Sequence, residues 1–185
     1  SLTLVRQTLH EWLKETKWQH LSYLCVCSDP TVASKELDSI KINQSDLDFA
    51  VTTDTAIVKQ FFSQNTGGVK IVFSTYQSSN IVAEAMSNND SFDLGIFDEA
   101  HKTTGRADKK FGFALKDENL SIQKRLFLTA TPRHYNLNKR NKEGDFDLAY
   151  SMDNPDVYGK IAHQLSFAVA ARQNIICNYK VIISV

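Results

Sequence analysis

Short apolar runs that alternate with amphipathic stretches of helix length constrain this chain more than any other feature. Leu21-Ser-Tyr-Leu-Cys-Val-Cys27, Phe49-Ala-Val-Thr52, Val69-Lys-Ile-Val-Phe73, Phe92-Asp-Leu-Gly-Ile-Phe97, Arg125-Leu-Phe-Leu128 and Tyr179-Lys-Val-Ile-Ile-Ser-Val185 read as strands. Leu2, Val5, Leu9, Trp12 and Leu13 step by three and four, the spacing of one helix face. Asp54 is placed to cap a helix to about Gln64, with Gly67-Gly68 as its stop. Residues 78–87 and 166–174 read as further helices, and the polar stretch 28–48 as mostly loop. Pro30, Pro132 and Pro155 fall where a strand or turn has ended. Parallel strands need crossovers, and helical crossovers cover both sheet faces. The expectation is a three-layer α/β domain with a mainly parallel sheet, whose chemistry lies beyond the carboxyl ends of the strands.

Composition removes several alternatives. With 185 residues, 42% apolar and 23% charged, the chain suits one globular domain with a real core. Its apolar runs fall far short of the roughly 20 residues that span a bilayer. No basic-then-apolar segment opens it, so no membrane and a cytoplasmic location are expected. Basic and acidic residues balance at 21 each, so net charge does not advertise nucleic-acid binding. Local patches remain, between Lys102 and Lys110 and between Arg133 and Lys142. Three cysteines make no disulfide framework. Cys25 and Cys27 have no neighbouring ligand pair and read as buried core thiols.

Three strand ends carry chemistry: Asp98-Glu99-Ala100-His101, Thr129-Ala130-Thr131-Pro132 and Ser74-Thr75-Tyr76-Gln77. All should project from one sheet edge. An acid at such an edge can hold Mg²⁺, largely through water. An adjacent carboxylate can then orient and deprotonate a water that attacks a phosphoryl group. A solvated acidic turn is the plain alternative. For His101 the plain alternative is a surface histidine, and for Thr129 and Thr131 it is turn hydroxyls that satisfy backbone before Pro132.

On these residues the chain resembles the first RecA-like domain of superfamily 2 helicases and translocases of the DEAH-box type. Asp98-Glu99-Ala100-His101 matches motif II, and Thr129-Ala130-Thr131 matches motif III. The resemblance implies ATP and Mg²⁺ as cofactors, with Asp98 helping to bind Mg²⁺-ATP and Glu99 activating water. It also implies that His101 links the nucleotide to motif III, with Thr129, Ala130 and Thr131 as couplers to a second RecA-like domain. Ser74, Thr75, Tyr76 and Gln77 resemble motif Ib, which touches the phosphate backbone; Tyr76 itself is expected to pack rather than stack on a base. The opening residues resemble the tail of motif Ia, where Ser1 or Thr3 would cap the helix and Arg6 would reach phosphate or stay solvated.

Phe92-Asp-Leu-Gly-Ile-Phe-Asp-Glu-Ala-His-Lys-Thr-Thr-Gly105 narrows the resemblance to restriction-type helicases, of type III or type I single-polypeptide restriction-modification character. The stretches 151–159, 165–172 and 179–181 are similar to the region after motif III there. That subgroup implies duplex DNA as partner. Phe167, Ala168, Ala170 and Ala171 are expected to form a packed helix face. Lys102, Arg106, Lys109 and Lys110 either touch nucleic acid or are solvated. No Gly-rich phosphate loop ending in Gly-Lys-Ser/Thr occurs in the 185 residues. The expectation is therefore a motor domain incomplete at its N-terminus, lacking the second RecA-like domain and inactive alone as an ATPase. Two other readings stay open: a non-hydrolysing degenerate motor that serves as DNA-binding or scaffold module, and a metal hydrolase built on Asp98, Glu99 and His101.

Overall fold

The alternation becomes parallel pairing, as crossover geometry requires. The computed structural model describes residues 2–18, 20–27, 51–106, 110–134 and 149–177. Its elements run α1 (Leu2–Glu15), β1 (Leu21–Val26), β2 (Val51–Thr52), α2 (Thr55–Ser63), β3 (Val69–Ser74), α3 (Ser79–Ala85) and β4 (Gly95–Phe97). They continue with β5 (Gly105–Arg106), β6 (Arg125–Phe127), β7 (Ala149–Tyr150), α4 (Pro155–Tyr158) and α5 (Phe167–Arg172). The loop expected at 28–48 and the strand expected at 179–185 lie outside the described residues.

Strands β2, β1 and β3 form one parallel sheet in that order, and β4 pairs with β6 in parallel. Short β5 and β7 pair antiparallel, a contact the strand pattern did not announce. The mainly parallel pairing expected from the sequence is thus present, divided among the described residues into two parallel ladders beside one short antiparallel pair.

Asp54 caps α2 as expected, its Oδ1 accepting the Ala56 amide at 2.8 Å. The helix ends at Ser63, before the glycines, which serve the turn into β3 instead. Gly67 takes φ +64°, and a side chain at Gly68 would put its Cβ 2.2 Å from the His20 carbonyl oxygen. That close pass lets the Val69 amide reach the same carbonyl at 3.0 Å and start the β1–β3 ladder.

Side chains alternate across β1. Val26 joins Val58 of α2 and Val82 of α3 in the main core, while Cys25 faces Leu9 of α1. Both strand-region thiols are buried and free, and burial pushes the Cys25 thiol up to about 12. The same alternation on β4–β6 turns Phe97 and Phe127 inward and leaves Ile96 and Leu126 38% and 41% exposed. Among the described residues the second face of β4–β6 is thus partly exposed. A correction concerns α5: Ala170 is buried, but Phe167 is 70% exposed and Ala168 exposed too, so these residues do not form one packed face.

Candidate functional site

Because β1 and β3 run parallel, and β4 and β6 likewise, the carboxyl ends emerge together within each pair. Backbone bonds lock the ends within each pair. The Thr75 amide donates to the Val26 carbonyl at 3.3 Å, the Leu128 amide to Phe97 at 2.9 Å, and the Ala100 amide to Leu128 at 2.9 Å. The Tyr76 hydroxyl, 2.7 Å from the Asp98 carbonyl, brings the 74–77 segment to the edge that the other two share.

At its centre, Asp98 is exposed directly after β4, and its Oδ1 accepts the Glu99 amide at 2.9 Å. Glu99 holds φ 52° and ψ 42°, a left-handed conformation that is costly for any residue with a Cβ. This turn aims the next amide, that of Ala100, at the end of β6. It also leaves the Glu99 carboxylate 3.2 Å from His101 Nδ1.

The same nitrogen lies 2.9 Å from Thr129 Oγ1 and 3.3 Å from Thr131 Oγ1. Thr129 Oγ1 in turn accepts the Thr131 amide at 3.1 Å. His101 thus lies between Glu99 and the threonines after β6. Ala130 and Thr131 are exposed beside it, and Thr129 is half-buried.

Ser74 and Gln77 are exposed at the end of β3, where Ser74 Oγ donates to the Thr75 carbonyl at 3.0 Å. Thr75 Oγ1 donates to Ser78 Oγ at 3.1 Å. Tyr76 is different: its ring packs against Phe97 and Phe111, and its hydroxyl donates to the Asp98 carbonyl at 2.7 Å. It packs, as expected, and its polar tip is spent on the acid turn rather than offered to solvent. The side chains of Thr3 and Arg6, with Ser1 entire, lie outside the described residues, as do Lys109 and the side chains of Arg106 and Lys110. Lys102 is exposed.

Two supporting residues escaped the sequence reading. Thr103 Oγ1 lies 2.7 Å from the Ala100 carbonyl, to which it donates, and 2.9 Å from the Tyr158 hydroxyl. The Tyr158 ring meets Phe127 edge-on at 5.0 Å. A buried threonine inside Asp-Glu-Ala-His-Lys-Thr was the available signal; its partner 55 residues on was not. Thr103→Val should strand the Tyr158 hydroxyl and cost about 1–3 kcal/mol, against about 0.5–1.5 kcal/mol for Tyr158→Phe. Urea midpoints of the two single variants and the double variant check the coupling.

As for a metal, no group of three or more His, Cys, Asp or Glu side chains gathers among the described residues. One hard oxygen donor at a strand end does fit Mg²⁺ that arrives with phosphate oxygens and keeps several waters. It does not fit a resident metal cage, which the metal-hydrolase reading requires.

Residues 2–134 match the family model described as the Type III restriction enzyme, res subunit. Among solved structures, the chain is similar to a nuclease-deletion mutant of the Type ISP restriction-modification enzyme LlaGI in complex with a DNA substrate mimic. There the identity is 29% and the TM-score 0.67, over 95% of this chain and 13% of that one. It is also similar to the ATP-dependent Type ISP restriction-modification enzyme LlaBIII bound to DNA, at 29% identity and TM-score 0.72, over 97% of this chain and 12% of that one. The chain thus spans only about an eighth of the length of either enzyme. No curated protein matches it.

Proposed function

The chain belongs to the family of the Type III restriction enzyme res subunit, and from that premise we propose that it is the ATP-hydrolysing part of a duplex-DNA translocase motor. In this reading it is a three-layer RecA-like domain of the DEAH-box kind, within a longer protein that supplies the phosphate loop and a second RecA-like domain. One observation carries the proposal: His101 Nδ1 is within hydrogen-bond reach of both Glu99 Oε2 and Thr129 Oγ1, at 3.2 and 2.9 Å. A solvated acidic turn has no need of that bridge, and neither does a scaffold.

Mg²⁺ bound with ATP neutralises charge that builds on the transferred phosphoryl group. Asp98 offers an exposed carboxylate oxygen for that ion, since its Oδ1 is engaged by the Glu99 amide. Glu99 takes a proton from the attacking water at its carboxylate, which His101 orients. Thr129 and Thr131 report the state of His101 to the exposed Ala130–Thr131 corner, where a partner domain would sense it. Ser74, Thr75 and Gln77 sit at the same edge and suit contact with a phosphate backbone, which hydroxyls and amides hold without reading sequence. Arg6 would add a phosphate contact from α1. No helix among the described residues is long and apolar enough to cross a membrane, and a cytoplasmic setting belongs to the same proposal.

The test is movement. A longer protein carrying this chain should displace a triplex-forming strand from duplex DNA when given ATP and Mg²⁺, and should fail with a non-hydrolysable analogue. Displacement that proceeds equally without hydrolysis would overturn the proposal.

A further inference from the structure

Among the groups that face the edge, Tyr76 is the one whose chemistry does not match its neighbours. Ser74 and Gln77 are exposed, as a nucleic-acid contact must be, whereas the Tyr76 ring is stacked on Phe97 at 6.4 Å and tilted against Phe111 at 5.8 Å. Its hydroxyl crosses 22 positions of sequence to donate to the Asp98 carbonyl at 2.7 Å. Burial, aided by the negative charges of Asp98 and Glu99, pushes the hydroxyl above the ordinary tyrosine range, so it stays a donor.

The carbonyl it holds belongs to the peptide that leads into Glu99, the left-handed residue of the acid turn. One rigid side chain therefore joins the backbone of the 74–77 segment to the peptide that aims both carboxylates. Phe97, on which the ring lies, is the residue immediately before Asp98. A shift of the 74–77 backbone moves the side chain, and its hydroxyl moves the Asp98 carbonyl it holds.

The geometry points to Tyr76 as a positioning residue that conveys nucleic-acid occupancy of the 74–77 segment to the Asp98–Glu99 turn. This rests on the motor reading above. It assigns Tyr76 no contact with base or phosphate, and it makes the hydroxyl rather than the ring the coupling group.

Two readouts on the longer protein carrying this chain test it, with Tyr76→Phe beside wild type. In steady state with duplex DNA, kcat for ATP should fall about 3- to 10-fold, the effect of one lost hydrogen bond. KM for ATP and the half-saturating DNA concentration should stay within about twofold. In hydrogen exchange, duplex DNA should protect both 74–78 and 98–101 in wild type, but only 74–78 in the variant. A merely structural tyrosine would lower the melting temperature without separating those two segments. Where Tyr76→Phe does not fold, Phe111→Leu, which keeps the hydroxyl and its bond to Asp98, should retain protection of both segments, and loss of protection at 98–101 there overturns the assignment to the hydroxyl. Protection of 98–101 that survives in the variant overturns the inference while leaving the motor reading intact. Wild type that neither binds duplex DNA nor hydrolyses ATP faster with it overturns the motor reading, and the inference falls with it.

Discussion

Glu99→Gln, placed in the longer protein, should lower DNA-stimulated ATP hydrolysis by about 10²- to 10⁴-fold, the range for loss of a general base. Glutamine keeps the volume of glutamate and leaves a polar group beside His101 Nδ1, which now lies 3.2 Å from Oε2. The left-handed turn and the Ala100–Leu128 bond should survive, since neither uses the carboxylate. What disappears is the group that takes the proton. The loss should therefore lie in kcat, with nucleotide affinity within a few-fold of wild type, as for an interaction made only in the transition state. Equal falls in affinity and stability would instead assign Glu99 to the architecture of the turn. Steady-state kinetics beside a nucleotide-binding isotherm separates the two.

The second large effect is structural. Phe97 is 7% exposed, and its ring centroid lies 5.0 Å from that of Phe127 and 6.4 Å from that of Tyr76. It belongs to the core that also contains Val26 and Val58, so it ties the β4–β6 pair to the β1–β3 sheet. Phe97→Ala should cost about 3–5 kcal/mol through lost burial and the cavity left behind. Domains of this size have only about 5–15 kcal/mol in hand. Chemical denaturation checks it, and a cost below about 1 kcal/mol would mean that the two sheets do not share this core. Ile96→Ala, one residue away on the exposed face, is the natural control.

The contrast between Phe97 and Ile96 shows what the sequence could and could not reveal. Alternation located β3 and β6 to within a residue, because local strand preference and burial agree there. It overran β4. Phe92 bridges Ile122 and Gly95 pairs with Arg125, both at the same offset, but Asp93 and Leu94 between them step out of the ladder. An apolar run cannot report that interruption. Nor can it say which face is covered: Leu126 and Phe127 are equally apolar, and only one is turned inward.

The family resemblance was legible because each of its motifs is contiguous in sequence, above all the stretch 92–105. The same holds for the gathering of the three strand ends, which follows once the strands are parallel. The Glu99–His101–Thr129 bridge was foreseen in outline only, since a motif names residues and not distances. Tyr158, by contrast, sits in no motif, and its partnership with Thr103 exists only after folding. Phe167 misled for the opposite reason. Helical spacing with alanines suggested a packed face, yet a short helix such as α5 buries only what lies against a neighbour, here Ala170.

The most direct test of the central claim is ATP hydrolysis by the longer protein that carries this chain, titrated with duplex DNA in the presence of Mg²⁺. The expected rate rises with duplex DNA and saturates, and it collapses in Glu99→Gln. A rate indifferent to DNA, or one that Glu99→Gln leaves unchanged, would contradict it.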